Sequence, residues 1–353
     1  PAGAGREHGR RLTSIRSLRS DVPYIGHLSS SDPLYGYLRH EILPQLRLHD
    51  TAPDFRVHRL RASNQVYLYK DRYSGIRLIG KFFGGVVGRS AETACRRMHV
   101  EYNNLVHLRS IGFAGYPHYI ARPLGCNAAL NCVLIEEFCE GRLLADFILD
   151  AVKHGARDVL FQKLAALAWF LATLHNRTAD DSRVDFIPEC AYFDRVMAQL
   201  RNGGNLGWDQ AQALYQSRDR WRARACMWED CRVLLHGDVT PANILFGDGP
   251  WVIAIDLERM KRSDRAFDLG RVAGELKHFF MQHAGDRTAA EPFIGHFLWE
   301  YACHFPDRAA AFRSITERLP FYMGLTLLRI ARNDWVTDDH RRRLLDEASK
   351  TLA

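Results

Sequence analysis

An acid, an amide and a second acid stand at fixed offsets in one stretch of this chain. The run His236-Gly237-Asp238-Val239-Thr240-Pro241-Ala242-Asn243-Ile244-Leu245-Phe246 is followed by Ile255-Asp256-Leu257-Glu258. Asn243 lies 243 − 238 = 5 residues after Asp238, and Asp256 lies 256 − 238 = 18 after it. Phosphoryl transfer from a nucleoside triphosphate needs such a set. One carboxylate orients the attacking hydroxyl, while an amide oxygen and another carboxylate hold Mg2+ against the triphosphate.

The elements that would position these groups are readable on either side. Val233-Leu234-Leu235 is a short apolar run ending at the His-Gly-Asp turn. Ile244–Phe246 and Trp251–Ile255 read as strands, separated by the turn sequence Gly247-Asp248-Gly249-Pro250. An antiparallel hairpin then puts Asn243 and Asp256 at the same end, within reach of one metal. Taken singly, the three residues would be a turn Asp, a capping Asn and a strand-end Asp. Taken together they point to a nucleotide–metal site.

The pattern His-Gly-Asp-x-x-x-x-Asn followed by Ile-Asp-x-Glu resembles the aminoglycoside phosphotransferase and choline kinase group, within the protein-kinase-like fold. The resemblance implies an α+β, two-lobed architecture: an N-lobe antiparallel sheet with one helix, and a mainly helical C-lobe. It implies Asp238 as the catalytic carboxylate, Asn243 and Asp256 as metal ligands, and Glu258 as a further metal or water contact. ATP and Mg2+ are the implied cofactors. The division expected is an N-terminal arm and helical extension over 1–49, a nucleotide-binding lobe over 50–137, and a hinge with the catalytic and acceptor-binding lobe over 138–353.

Such a fold needs an upstream ATP site, and the sequence supplies candidates. Leu78-Ile79-Gly80-Lys81-Phe82-Phe83-Gly84 reads as a strand with a lysine among apolar residues. Only seven of the 48 basic residues are Lys, and one inside an apolar strand is costly unless paired or bound to phosphate. Kinases of this fold set a lysine on the third strand to grip phosphates, paired to a helix glutamate. Glu101 is the candidate partner, because Met98, Leu105 and Leu108 put it on the apolar face of a helix. By resemblance, the turn containing Ser63 and Asn64 covers the phosphates; a plain hairpin turn is the competing reading. Cys132–Gly141 reads as a buried strand running into the interlobe hinge, where the Glu137 carbonyl and Cys139 amide would bind adenine.

Composition narrows the class. With 353 residues at 47% hydrophobic, the chain can bury a sizeable core, and its length favours two lobes. No apolar run reaches the roughly 18–20 residues a membrane span needs. Pro1–Ser20 is basic and lacks the hydrophobic segment of a secretory signal. The eight cysteines form no Cys-x-x-Cys pair, which suggests reduced thiols and a cytoplasmic location. Arginine clusters near the two ends accompany a net charge of +7, but no zinc finger or aromatic RNA-binding signature goes with them, so nucleic acid is not an expected partner. A basic protein is a poor fit to a polycationic acceptor, which shifts the expectation toward a neutral or anionic sugar-like alcohol.

The second half reads as helical. Val159–His175 carries a leucine-rich stripe widened by Trp169 and Phe170; Phe293, Phe297 and Tyr301 form another stripe; Leu319 to Ala331 reads as a further helix. Phe267-Asp268-Leu269 opens a helix that Asp268 is placed to cap; by resemblance, an acid here also buttresses the catalytic loop, which makes Asp268 structural. His236 reads as a structural member of its turn. Within Pro1–Asp50, only Leu34–Leu48 has enough apolar residues to pack. Asp256 and Asp268 are 268 − 256 = 12 residues apart, too few for a peptide-docking platform. The expected function is therefore ATP- and Mg2+-dependent phosphorylation of a small-molecule hydroxyl (sugar, amino sugar or amino alcohol), with Asp238 as base. A catalytically silent nucleotide-binding scaffold, or a kinase acting on a protein side chain, are the alternatives.

Overall fold

The computed structural model describes residues 23–49, 52–60, 65–86 and 88–353. In the first part of the chain, β1 (Tyr24–His27) and helix α1 (Pro33–Tyr37) precede β2 (Phe55–Leu60), β3 (Gln65–Asp71) and β4 (Arg77–Phe82). Helix α2 (Ala91–Ser110) follows, then β5 (Ala114–Gly115), β6 (His118–Ile120), β7 (Pro123–Asn127) and β8 (Val133–Glu137). Among the described residues, six strands form one sheet in the order β1-β2-β3-β4-β8-β7, antiparallel throughout. The expected N-lobe sheet is present.

Each side of that sheet is covered by a different segment. Tyr35, Tyr37, Leu38, Ile42 and Leu43 pack with Phe55, Tyr69, Leu78, Val133 and Ile135. These residues come from the Leu34–Leu48 stretch, the one apolar part of the early chain. Helix α2 starts at Ser90, whose side chain accepts from the Thr93 amide at 3.2 Å. Its buried stripe is Ala94, Met98, Glu101, Leu105 and Leu108, so a carboxylate sits where periodicity calls for a hydrophobe.

The remainder is mainly helical. After β9 (Arg142–Leu143) come α3 (Leu144–His154), α4 (Arg157–Thr178), α5 (Ile187–Asn202), α6 (Trp208–Arg222) and α7 (Cys226–Glu229). Short strands β10 (Val233–Leu235), β11 (Ile244–Phe246), β12 (Val252–Ala254) and β13 (Lys261–Ser263) lead into α8 (Ala266–His283), α9 (Glu291–Ala302), α10 (Arg308–Ala331) and α11 (Asp338–Leu352). A second sheet runs β5-β6-β12-β11-β9, and β10 pairs with β13. The architecture is α+β and protein-kinase-like.

Three details differ from the sequence reading. Trp169 does not widen the buried face of α4; it is 38% exposed and stacks on His304, whereas Phe170 is fully buried. Helix α10 starts at Arg308, well before Leu319, with Asp307 accepting from the Ala310 amide. Its alanine-rich first turns are strong helix formers, and Pro320 lies inside the helix rather than at its start. The β12 strand is shorter than Trp251–Ile255, because Asp256 turns the chain away sharply. All eight cysteines are free, and among the described residues no helix is long and apolar enough to cross a membrane.

Helices α8 and α10 approach closely at two glycines one turn apart. A Cβ on Gly270 would lie 2.4 Å from Tyr322 Cβ and 2.8 Å from its backbone carbon; one on Gly274 would lie 2.7 Å from Thr326 Cβ. Gly295, on α9, has nothing within 4 Å of such a Cβ. Gly270→Ala should therefore force the two helices apart and destabilise the fold by about 1–3 kcal/mol. Gly295→Ala should be neutral or stabilising by about 0.4–1 kcal/mol, through the unfolded chain. Denaturant titration separates them: a lower midpoint for Gly270→Ala with an unchanged slope is expected. Equal midpoints would refute the close-approach argument.

Candidate active site

The His236-Gly237-Asp238 turn leaves the buried strand β10 under tight steric control. Gly237 has φ +79°, and a Cβ there would lie 2.1 Å from the Arg259 carbonyl oxygen. Only glycine fits. Both oxygens of Asp268 close on this turn, Oδ2 accepting from the His236 amide at 2.8 Å and Oδ1 from the Gly237 amide at 3.0 Å. His175 Nε2 is 3.3 Å from the same Oδ2, and His175 Nδ1 is 2.8 Å from the Tyr301 hydroxyl. Asp268 is therefore no helix cap. At the start of α8 that bond belongs to Asp264, which accepts from the Ala266 amide at 2.9 Å. His236 is fully buried, and its Nδ1 accepts from the Asp238 amide at 3.3 Å.

The β11–β12 hairpin brings the next two candidates together. Ile244 pairs with Ala254, and the Ile255 amide donates to the Asn243 carbonyl at 3.1 Å, so Asn243 and Asp256 lie at one end. Asn243 Nδ2 donates to the Asp238 carbonyl at 3.0 Å. With its NH2 committed there, the amide oxygen is the atom left for a cation. Asp256 has φ +64°, a left-handed conformation that costs a non-glycine residue roughly 1–3 kcal/mol and clusters at functional sites. The following segment is anchored by Asn104 of α2, which donates to the Leu257 carbonyl at 2.8 Å.

Helix α2 and strand β4 complete the group. Lys81 Nζ is 2.5 Å from Glu101 Oε1 and 3.0 Å from Glu136 Oε1, all three side chains being buried. Glu136 was not among the residues expected from sequence. Its signal was an acid directly following the apolar run Val133-Leu134-Ile135; in the sheet it lies diagonal to Lys81, which pairs with Leu134. Burial opposes the charge on Lys81, but Glu101 and Glu136 outweigh it and hold the ammonium well above its ordinary pKa. Burial pushes both glutamates upward, against the pull of the lysine they share.

Carboxylate oxygens of Glu101, Asp256 and Glu258 all lie within 4.8 Å of one another. Glu101 Oε2 is buried with no hydrogen-bond partner. Hard oxygen donors, excess negative charge and an orphaned buried acceptor fit a hard divalent cation such as Mg2+. Asp238 sits nearby with 11% side-chain exposure, its Oδ1 2.8 Å from Arg329 Nη2 and its Oδ2 3.7 Å from Arg259 Nε. Burial works to raise its pKa, but Arg329, Arg271 and Arg259 prevail and keep it below the ordinary carboxylate range, hence ionised. Sequence reasoning missed Arg329, because it lies 329 − 238 = 91 residues away on a helix with no motif.

The hinge candidates follow β8. The Glu137 side chain accepts from the Tyr119 hydroxyl and the Arg122 amide, both at 2.6 Å, which fixes the strand end. Cys139 is half-buried, and burial pushes its thiol up to about 12. Ser63 and Asn64 lie outside the described residues.

The turn's dependence on Asp268 is testable by pH. Burial disfavours its charge, but the His175 hydrogen bond and the Gly237 backbone amide bond outweigh it, so its folded pKa lies below the ordinary value. A lowered carboxyl pKa stabilises fully above the unfolded value of about 4, and that contribution is lost as pH falls through the folded pKa. Asp268→Asn faces the same two amides with one oxygen and should cost about 1–3 kcal/mol at pH 7. The gap to wild type should narrow below about pH 4. A gap constant from pH 7 to 3 would show that the carboxylate charge is not what holds the turn.

With this geometry established, the chain can be set beside known proteins. By overall structure it is similar to choline kinase from Cryptosporidium parvum Iowa II, at TM-score 0.62 and 12% identity, covering 90% of this chain and 94% of that one. Plasmodium vivax ethanolamine kinase gives TM-score 0.56 and 15% identity, covering 95% and 90%. The ADP-bound aminoglycoside phosphotransferase APH(2'')-Ib gives 0.53 and 13%, covering 89% and 99%. By sequence alone, no curated protein matches. The family profile described as phosphotransferase enzyme family, APH, matches residues 54–305, which is most of the chain. The chain belongs to the APH phosphotransferase enzyme family.

Proposed function

We propose that this phosphotransferase moves the γ-phosphoryl group of ATP, with Mg2+, to a hydroxyl of a small molecule. The observation that carries the reading is the convergence, from three separate parts of the chain, of Lys81 with Glu101, Asp238 with Asn243, and Asp256 with Glu258. A catalytically silent scaffold would be free to lose any of these, and all are present.

In this reading Lys81 grips the α- and β-phosphates while Glu101 and Glu136 hold its ammonium charged and in place. The Glu137 carbonyl and Cys139 amide take the adenine edge. Asn243 and Asp256, with Glu258, would hold Mg2+, which supplies charge neutralisation on the phosphate oxygens. Asp238, kept ionised, accepts a hydrogen bond from the acceptor hydroxyl, aims its oxygen and takes its proton as the bond to the γ-phosphorus forms and the bond from that phosphorus to the bridging oxygen breaks, releasing ADP. The acceptor is small because little chain separates Asp256 from Asp268: β13 fills part of that interval and pairs with β10, leaving no peptide platform.

Asp238→Asn keeps the size of the side chain but removes the base, so turnover should fall by about two to four orders of magnitude, with nucleotide affinity nearly unchanged. A variant turning over its acceptor at the wild-type rate would falsify the assignment. Asp256→Ala should instead weaken Mg2+-dependent ATP binding about tenfold or more, read by calorimetry with and without Mg2+. If the two titrations change equally, the metal role fails.

A further inference from the structure

The proposed base stands in a field of guanidinium groups larger than its own charge requires. Arg329 of α10 contacts Asp238 at 2.8 Å and Glu275 at 3.3 Å, and Arg259 approaches both Asp238 and Glu258 at 3.7 Å. Arg271, from α8, is 2% exposed. Among the described residues it has no carboxylate within ion-pair distance; the Tyr192 hydroxyl lies close to both it and Arg329, while its Nε and Nη1, and Arg329 Nε, have no hydrogen-bond acceptor. Arg332 lies just past the end of α10, close enough for its charge to act on Arg259, Arg271, Arg329 and Tyr192. Four cations thus face three carboxylates (Asp238, Glu275 and Glu258). The excess grows to two if Glu258 serves the metal.

Elsewhere in this chain, buried arginines are answered by acids. Arg318 meets Asp230 and Asp264, the latter at 3.0 Å, and Arg265 meets Asp230 at 3.1 Å. Among the described buried arginines Arg271 is the one without an acid: it lies over the Phe267 ring and near the Tyr192 hydroxyl, and it is set against a second arginine. Burying a guanidinium beside a like charge with donors unmade costs stability. Such an arrangement beside a reactive carboxylate suits an anion that supplies the missing acceptors. Placement agrees. Asp268, Arg271 and Glu275 share one face of α8, and the glycines at 270 and 274 let α10 bring Arg329 against it.

We propose that the acceptor is an anionic alcohol, carrying a carboxylate or phosphate group that Arg271, Arg329 and neighbouring arginines bind while Asp238 engages its hydroxyl. The inference rests on the kinase reading above and deepens it. A guanidinium fork matches either oxyanion, so the shared chemistry is the doubly accepting oxyanion. A cationic acceptor would meet net repulsion in the same place.

The test is a panel matched in skeleton and differing in charge: glucose, gluconate, glucose 6-phosphate and glucosamine, then glycerol, glycerate, glycerol 3-phosphate and 3-amino-1,2-propanediol. Each is followed by ATP consumption and product mass, and separately by calorimetric binding to the Mg2+–ADP complex. An anionic member should exceed its neutral parent in kcat/KM or affinity by about tenfold or more, with the amines inert. The carboxylate and phosphate arms tell the two oxyanions apart. Arg271→Gln should raise the acceptor KM about tenfold or more, leaving the KM for ATP within about twofold. Because Arg271 is buried, Arg259→Gln at an exposed position provides a second variant, with a smaller effect in the same direction. Neutral or cationic members that match or exceed the anionic ones would overturn the inference and leave the kinase reading standing. So would failure of every anion to bind, or an Arg271→Gln effect on ATP rather than on the acceptor. Loss of the kinase reading shows separately, as an absence of Mg2+-dependent ATP binding in the wild-type protein.

Discussion

A single fully buried carboxylate, Asp268, ties the His236-Gly237-Asp238 turn to the helical half of the molecule. Its two oxygens accept from consecutive backbone amides, His236 and Gly237, while His175 and Tyr301 extend the network behind it. Without those bonds, two buried amide donors would be unmatched, each at a cost of about 1–3 kcal/mol. The turn is thereby fixed to α8, and α8 in turn to α10 through the close approach at Gly270 and Gly274. Everything around Asp238 inherits its position from this joint: Asn243 bonded to its carbonyl, and Arg329 bonded to its carboxylate.

A second constraint acts across the lobes. Helix α2 packs against β7 and β8 of the first sheet, yet two of its residues reach the Asp256–Glu258 segment. Glu101 pairs with Lys81 and lies within 4.8 Å of Asp256 and Glu258, and Asn104 holds the Leu257 carbonyl. Position and charge are set together there. One buried ammonium faces Glu101 and Glu136, with Asp256 beyond them, so the pocket carries an excess of negative charge that favours a divalent cation. The Asp238 side is the reverse, rich in arginine. Glu258 stands between the two groups, in the carboxylate cluster and 3.7 Å from Arg259.

The sequence carried a good deal of this. The spacing of Asp238, Asn243 and Asp256, interrupted by a Gly-Asp-Gly-Pro turn, implied a hairpin whose ends meet, and the register bears that out. Glu101 on an apolar helix face and Lys81 in an apolar strand were legible because a buried charge breaks a hydrophobic pattern. Glu136 breaks the pattern too, but at the end of its run, where an acid reads as the start of a loop. Local spacing suggested a cap for Asp268 because it reports nothing about a partner 32 residues upstream, whereas the buttressing of the turn that the resemblance implied is what its hydrogen bonds make.

What the sequence determined by itself was chemistry that depends on short offsets: which acids and amide share a turn, which strand holds the lysine, and how little room follows Asp256. These are local because hairpin register and helix period are local. What only the tertiary structure decided was the electrostatic setting of Asp238. Arg259, Arg271 and Arg329 are scattered over 329 − 259 = 70 residues and belong to no motif. Arg271 and Arg329 converge because two helices with small residues at their crossing pack backbone against backbone, and Arg259 joins them because its backbone lies against Gly237. Distance through space, not along the chain, sets the strength of a charge interaction.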